Sequence, residues 1–116
     1  MTDEETKELG RRYLAAGGRW MAGMVDIWND RFVRARATDE MHEPDFMDLA
    51  TRGALFLFAE SVACIHYDAD RAWLHFDDMV DQWELRCEGA SRWFPCEADT
   101  RVECALNVLE SIKEAL

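Results

Sequence analysis

The sequence predicts an all-α fold: one domain, residues 1–116, of four helices in a bundle-like arrangement with the second helix most central. Three observations predict it. Apolar residues recur at helical spacing in four separate stretches. Strand-like alternation and hairpin dipeptides such as Asn-Gly are not apparent. The only prolines, Pro44 and Pro95, fall between the periodic stretches. With 116 residues, 49% of them apolar, the chain has single-domain size and enough material for a core.

Helix 1 is expected from Asp3 to Ala35. Thr2 and Glu5 have capping-box spacing, and Asp3, Glu4 and Glu5 suit the positive end of the helix dipole. Arg34 and Arg36 suit the opposite end. One apolar row runs Leu9, Tyr13, Ala16, Trp20, Met24, Ile27; a second runs Leu14, Met21, Val25, Trp28, Phe32. Gly17-Gly18 predicts a kink or a close helix contact, with a complete break as the alternative. Helix 2 is expected from Pro44, a residue suited to a first turn, to His66. Leu55-Phe56-Leu57-Phe58 covers every side of it, which predicts a buried helix whose faces are covered by the other three or by a second subunit.

Helix 3 is expected from Ala69 to Cys87, with Gly89 beyond its end. Trp73, Phe76, Val80, Trp83 and Cys87 repeat at spacings of 3 and 4, an inward stripe. Asp77, Asp78, Asp81 and Glu84 lie opposite, with Leu74 and Leu85 among them. Residues 90–97 form a connection around Trp93-Phe94-Pro95. Helix 4 is expected from Ala98 to Ala115, with Val102, Ala105, Leu106, Leu109 and Ile112 inward.

Charge sharpens the functional reading. The net charge is −11. Ala37 to Glu88 carry thirteen acids against three arginines, whereas the first 36 residues carry six acids and seven bases. This balance argues against direct nucleic-acid binding and against docking on anionic lipid. It suits a protein partner with a basic face, although acidity also keeps a small protein soluble. The first residues are acidic and no targeting segment follows, so the expected location is cytoplasmic and the four cysteines are expected as thiols. Cys87 and Cys96 flank a connection and could approach each other.

Motifs for chemistry are weak. Cys64 and His66 diverge on a helix, and there is no Cys-x-x-Cys or His-x-x-x-His pair. Asp68 and Asp70 open like a calcium loop, but Trp73 takes the glycine position and Met79 the glutamate position. Neither Ser61 nor Ser91 lies in a nucleophile elbow. A Cys64–His75 thiol–histidine pair is the one conceivable nucleophile. The expectation is therefore no metal, no cofactor and no catalysis.

Recognition remains. One candidate partner surface is the outer face of helix 3, where Leu74, Asp78, Asp81 and Leu85 combine apolar anchors with an acidic rim. The other is the row Met21, Val25, Trp28 and Phe32 of helix 1, suited to a second interface or a homodimer. The expected role is a non-enzymatic protein that binds and inhibits or modulates a partner such as a DNA-binding regulator, by covering its dimer or DNA surface as anti-activators do. A toxin-immunity or phage-encoded inhibitor protein is the first rival. A metal-binding or catalytic helical protein is the second.

Overall fold

In a computed structural model the chain is a mixed α+β protein. The structure describes residues 2–33, 38–89 and 98–116. The elements are α1 (Asp3–Ala15), α2 (Leu49–His66), β1 (Arg71–Asp77), β2 (Gln82–Glu88) and α3 (Arg101–Ala115), with one 3₁₀ turn at Thr38–Glu40. The all-α four-helix bundle is thus corrected to an α+β fold with, among the described residues, three helices and a two-stranded antiparallel sheet. The chain forms two compact units, Met1–Leu55 and Phe56–Leu116, with the boundary inside α2.

In the N-terminal unit, α1 starts as its sequence predicts. The Thr2 hydroxyl accepts the Glu5 N–H at 3.2 Å. It stops far short of Ala35. Gly17 takes φ +85°, the left-handed region that a residue with a Cβ enters at a cost. The Gly17 N–H then reaches the Leu14 carbonyl at 3.1 Å and the Gly18 N–H the Tyr13 carbonyl at 2.8 Å. These two bonds define a Schellman termination, so the glycine pair ends the helix outright. Residues 16–33 continue as irregular chain, and the Arg34–Arg36 turn lies outside the described residues.

The irregular chain is fastened by backbone pairing. Val25 bridges to Arg31, and Asp26 to Pro44. Pro44 is therefore part of a bridge and not the start of a helix. At Gly10, α1 meets this segment so closely that a Cβ would lie 2.7 Å from the Pro44 carbonyl oxygen. Leu9, Tyr13, Met24, Val25, Phe32, Phe46 and Leu55 form the core. The Tyr13 and Phe46 rings meet edge to face at 5.4 Å.

Tyr13 is fully buried, and its hydroxyl donates to the Arg19 carbonyl at 2.5 Å. Burial pushes its pKa from 10.0 up to about 12, against the smaller opposing effect of that hydrogen bond. The folded state thus holds the phenolic proton more tightly than the unfolded chain. This contribution is complete below pH 10 and is lost as the pH rises from 10 towards 12. Tyr13→Phe should flatten the alkaline limb of a urea-stability profile over that window; an unchanged limb would count against a neutral buried phenol.

α2 begins at Leu49, where Asp48 caps it. The Asp48 carboxylate accepts the Thr51 N–H at 2.9 Å and the Thr51 hydroxyl at 2.8 Å. These two bonds, the hydroxyl's first, lower the Asp48 pKa. Thr51 Oγ1 in turn accepts the Val25 N–H at 3.0 Å. α2 is not the all-round buried helix its composition predicts. Thr51, Leu55, Ala59 and Ala63 are buried at four-residue spacing, while Leu49, Leu57 and Ile65 are exposed. Its buried positions thus lie on one face. By length and composition alone α2 could cross a membrane, a test that core helices of soluble proteins also pass.

In the C-terminal unit, the helix expected over Ala69–Cys87 is the β1–β2 hairpin. Its register pairs Ala72 with Cys87, Leu74 with Leu85 and Phe76 with Trp83. These six residues share one face of the sheet, since successive strand side chains alternate. Asp78-Met79-Val80-Asp81 makes the turn. Asp77 Oδ1 accepts the Met79 N–H at 3.0 Å, and Asp81 adopts φ +55°. Aspartate suits both positions, so no glycine is needed. On the outer edge of β1, Glu60 Oε2 accepts the Leu74 N–H at 3.0 Å. α3 packs on both strands. Thr100 caps it by accepting the Glu103 N–H at 3.1 Å. Cys104, Ala105, Leu106, Val108, Leu109 and Ile112 are its buried side. The Trp93-Phe94-Pro95 connection and the Cys87–Cys96 approach lie outside the described residues.

Candidate partner-binding surfaces

The helix 3 surface divides once it is a hairpin. Leu74 and Leu85 are buried opposite each other on the sheet and present nothing to a partner. Asp78 and Asp81 are exposed at the turn, where they bracket Met79 and Val80, 89% and 57% exposed. An apolar anchor within an acidic rim is thus present, but its apolar atoms come from Met79 and Val80. The acidic run drew attention to this stretch; only a hairpin reading singles out its tip.

The helix 1 row divides as well. Val25 and Phe32 are core residues and Met21 is half-buried. Trp28 alone projects, 66% exposed. The homodimer expected of this row rests on Trp28 alone.

The backbone that carries Trp28 is nonetheless held firmly. Asp26 is fully buried and turns the chain around its own carboxylate. Its Oδ1 accepts the N–H groups of Trp28 and Asp30, both at 2.9 Å, and its Oδ2 accepts the His42 N–H at 3.0 Å. Its own N–H donates to the Asp30 carbonyl at 3.0 Å. Asn29 completes the turn at φ 63°. The indole sits 5.6 Å from the His42 ring.

Beside it opens a cleft of about 320 Å³, lined by Asp3, Thr6, Lys7, Ile27, Trp28, Asp45 and Met47. Asp3, Thr6 and Lys7 come from the first turns of α1. Asp45 is fixed by its N–H bond to the Val25 carbonyl at 3.0 Å and by accepting the Met47 N–H at 2.9 Å. The lone amine among the described lining residues, Lys7, lies 3.5 Å from Glu4. Two carboxylates, an indole face and a thioether therefore surround the opening. That lining suits a cationic side chain, which gains from both carboxylate and indole. Asp26 and Asp45, which build this cleft, were missed in the sequence because helix 1 was expected to run through Asp26 and helix 2 to begin at Pro44, just before Asp45.

No group of three or more His, Cys, Asp or Glu among the described residues comes together to hold a metal ion. The Cys64 thiol donates to the Ala69 carbonyl at 3.0 Å. Compared with known proteins, the chain matches no family model, no curated sequence and no solved structure, so its function has to be read from these surfaces.

Proposed function

We propose that this chain is a non-enzymatic binding protein that docks on the basic face of a protein partner and inhibits or modulates it. The observation that carries this reading is Trp28, exposed on a backbone turn fixed by the buried Asp26 carboxylate, beside a cleft containing Asp3 and Asp45. The backbone that carries Trp28 is already ordered before binding, and tryptophans are enriched among interface hot spots. The acidic rim steers a basic partner and sets its orientation. A DNA-binding regulator offers such a face, and covering it would block dimer or DNA contacts. A toxin inhibited by its immunity protein would present the same chemistry.

Titration with an arginine-rich peptide, followed by tryptophan fluorescence, tests the surface directly. Affinity should fall as salt rises from about 50 to 300 mM, because screening shortens the reach of the carboxylates. Trp28→Ala should weaken binding by roughly 30-fold, as for an interface hot spot of about 2 kcal/mol. Salt-independent affinity would assign the acidity to solubility. Co-purification with mass spectrometry would then name the natural partner.

A further inference from the structure

The Trp28 cleft is small enough to say what enters it. It encloses about 320 Å³, at the lower end of the range for ligand pockets. One turn of a helix, about 10 Å wide and about 5.4 Å long, already exceeds that volume. The space fits one long side chain. Ile27, Trp28 and Met47 give it apolar walls, and Asp3 and Asp45 give it carboxylates from separate parts of the chain.

Asp45 is held at three points. Its N–H donates to the Val25 carbonyl at 3.0 Å, and its own carbonyl accepts the Asp48 N–H at 3.1 Å. Its Oδ1 accepts the Met47 N–H at 2.9 Å, which sets the direction of the carboxylate. A carboxylate has about four acceptor positions, and Met47 takes one of them. Asp3 stands in the first turn of α1 together with Glu4 and Glu5. The positive end of the helix dipole, about half a charge, is outweighed there by the three carboxylates.

Long-range charge selects a cation but not which cation. The net charge of −11 draws lysine and arginine alike. Contact chemistry separates them. An ammonium is compact and strongly hydrated, and an apolar wall strips part of that water. A guanidinium is planar and more weakly hydrated; it stacks on an indole and sends two parallel N–H bonds to one carboxylate. A cleft that combines an indole with an oriented carboxylate suits the second. We propose that it is a socket for one arginine side chain of the partner, stacked on Trp28 and forked onto Asp45. This rests on the basic-partner reading above and adds which residue of that partner enters the cleft.

The experiment is a titration of the full chain with blocked tripeptides carrying arginine, lysine or citrulline between two glycines, and with free arginine. The Trp28 indole N–H and Met47 methyl signals report in NMR spectra. The arginine peptide should give saturable shifts with a dissociation constant on the order of millimolar. The lysine peptide should bind roughly fivefold more weakly, and citrulline, the neutral isostere of arginine, should not saturate. Arginine's lead over lysine should persist from about 50 to about 300 mM salt, because screening weakens both cations alike. Asp45→Asn, which keeps an oxygen for the Met47 N–H, should abolish that lead. Equal binding of arginine and lysine, both weakened by salt, would overturn the arginine socket and leave the basic-partner reading standing. Binding by neither, together with an arginine-rich peptide that also leaves these signals unmoved, would remove both. Citrulline matching arginine, or free arginine binding more tightly than the peptide, would also overturn the socket, and none of the peptide comparisons requires a variant to fold.

Discussion

Asp26→Ala is expected to remove roughly 3–5 kcal/mol of stability from the N-terminal unit. The carboxylate is fully buried and accepts three backbone N–H groups, from Trp28, Asp30 and His42. Alanine would leave all three donors facing a void. A loss of that size is comparable to the whole stability of a small unit, so much of residues 2–33 would unfold. Asp26→Asn separates the contributions. Its amide oxygen can still accept from Trp28 and Asp30, but its NH₂ would meet the His42 N–H. Urea denaturation followed by tryptophan fluorescence should therefore rank wild type above asparagine and asparagine above alanine. An alanine variant within about 0.5 kcal/mol of wild type would show that the turn holds without its carboxylate.

Leu74→Arg combined with Leu85→Arg should unfold the C-terminal unit. On a helix 3 surface this pair would spare the fold and weaken binding alone. On the hairpin, the two leucines are a cross-strand pair, 6% and 1% exposed. Each arginine removes core packing worth about 2–5 kcal/mol and brings a charge towards an apolar site. Far-UV circular dichroism and amide exchange should show loss of the β1–β2 pairing. Asp78→Asn at the exposed turn should change stability by less than about 0.5 kcal/mol. A folded double arginine variant would mean that the strands are not paired in this register.

The start of α1 was legible because Thr2 and Glu5 mark it, and α2 and α3 stop where expected, at His66 and Ala115. Gly17-Gly18 as a full stop and Asp48 and Thr100 as caps were local signals that the expected end at Ala35 and the expected starts at Pro44 and Ala98 passed over. The hairpin was concealed by arithmetic. A four-residue turn puts the facing residues Phe76 and Trp83 seven apart and Leu74 and Leu85 eleven apart. Seven and eleven residues are close to two and three turns of an α-helix, so the hairpin's inner face carries a helical stripe. The alternation of Trp83, Leu85 and Cys87 with Glu84, Arg86 and Glu88 was the signal that could have separated the two. The Trp28 cleft was less legible still. It depends on Asp26 meeting the backbone of His42, sixteen residues away, and no local pattern encodes that meeting.

The Glu60 carboxylate on the Leu74 N–H has a consequence for the protein in a crowded solution. A two-stranded sheet has rims along which another chain can stack, and this one is only seven residues long on each strand. Glu60 reaches from a neighbouring helix to the middle residue of β1 and puts a negative charge there. An incoming strand would have to displace that carboxylate and bury its charge before it could pair. The contact that finishes one strand's hydrogen bonding is therefore also a guard against edge-to-edge polymerisation.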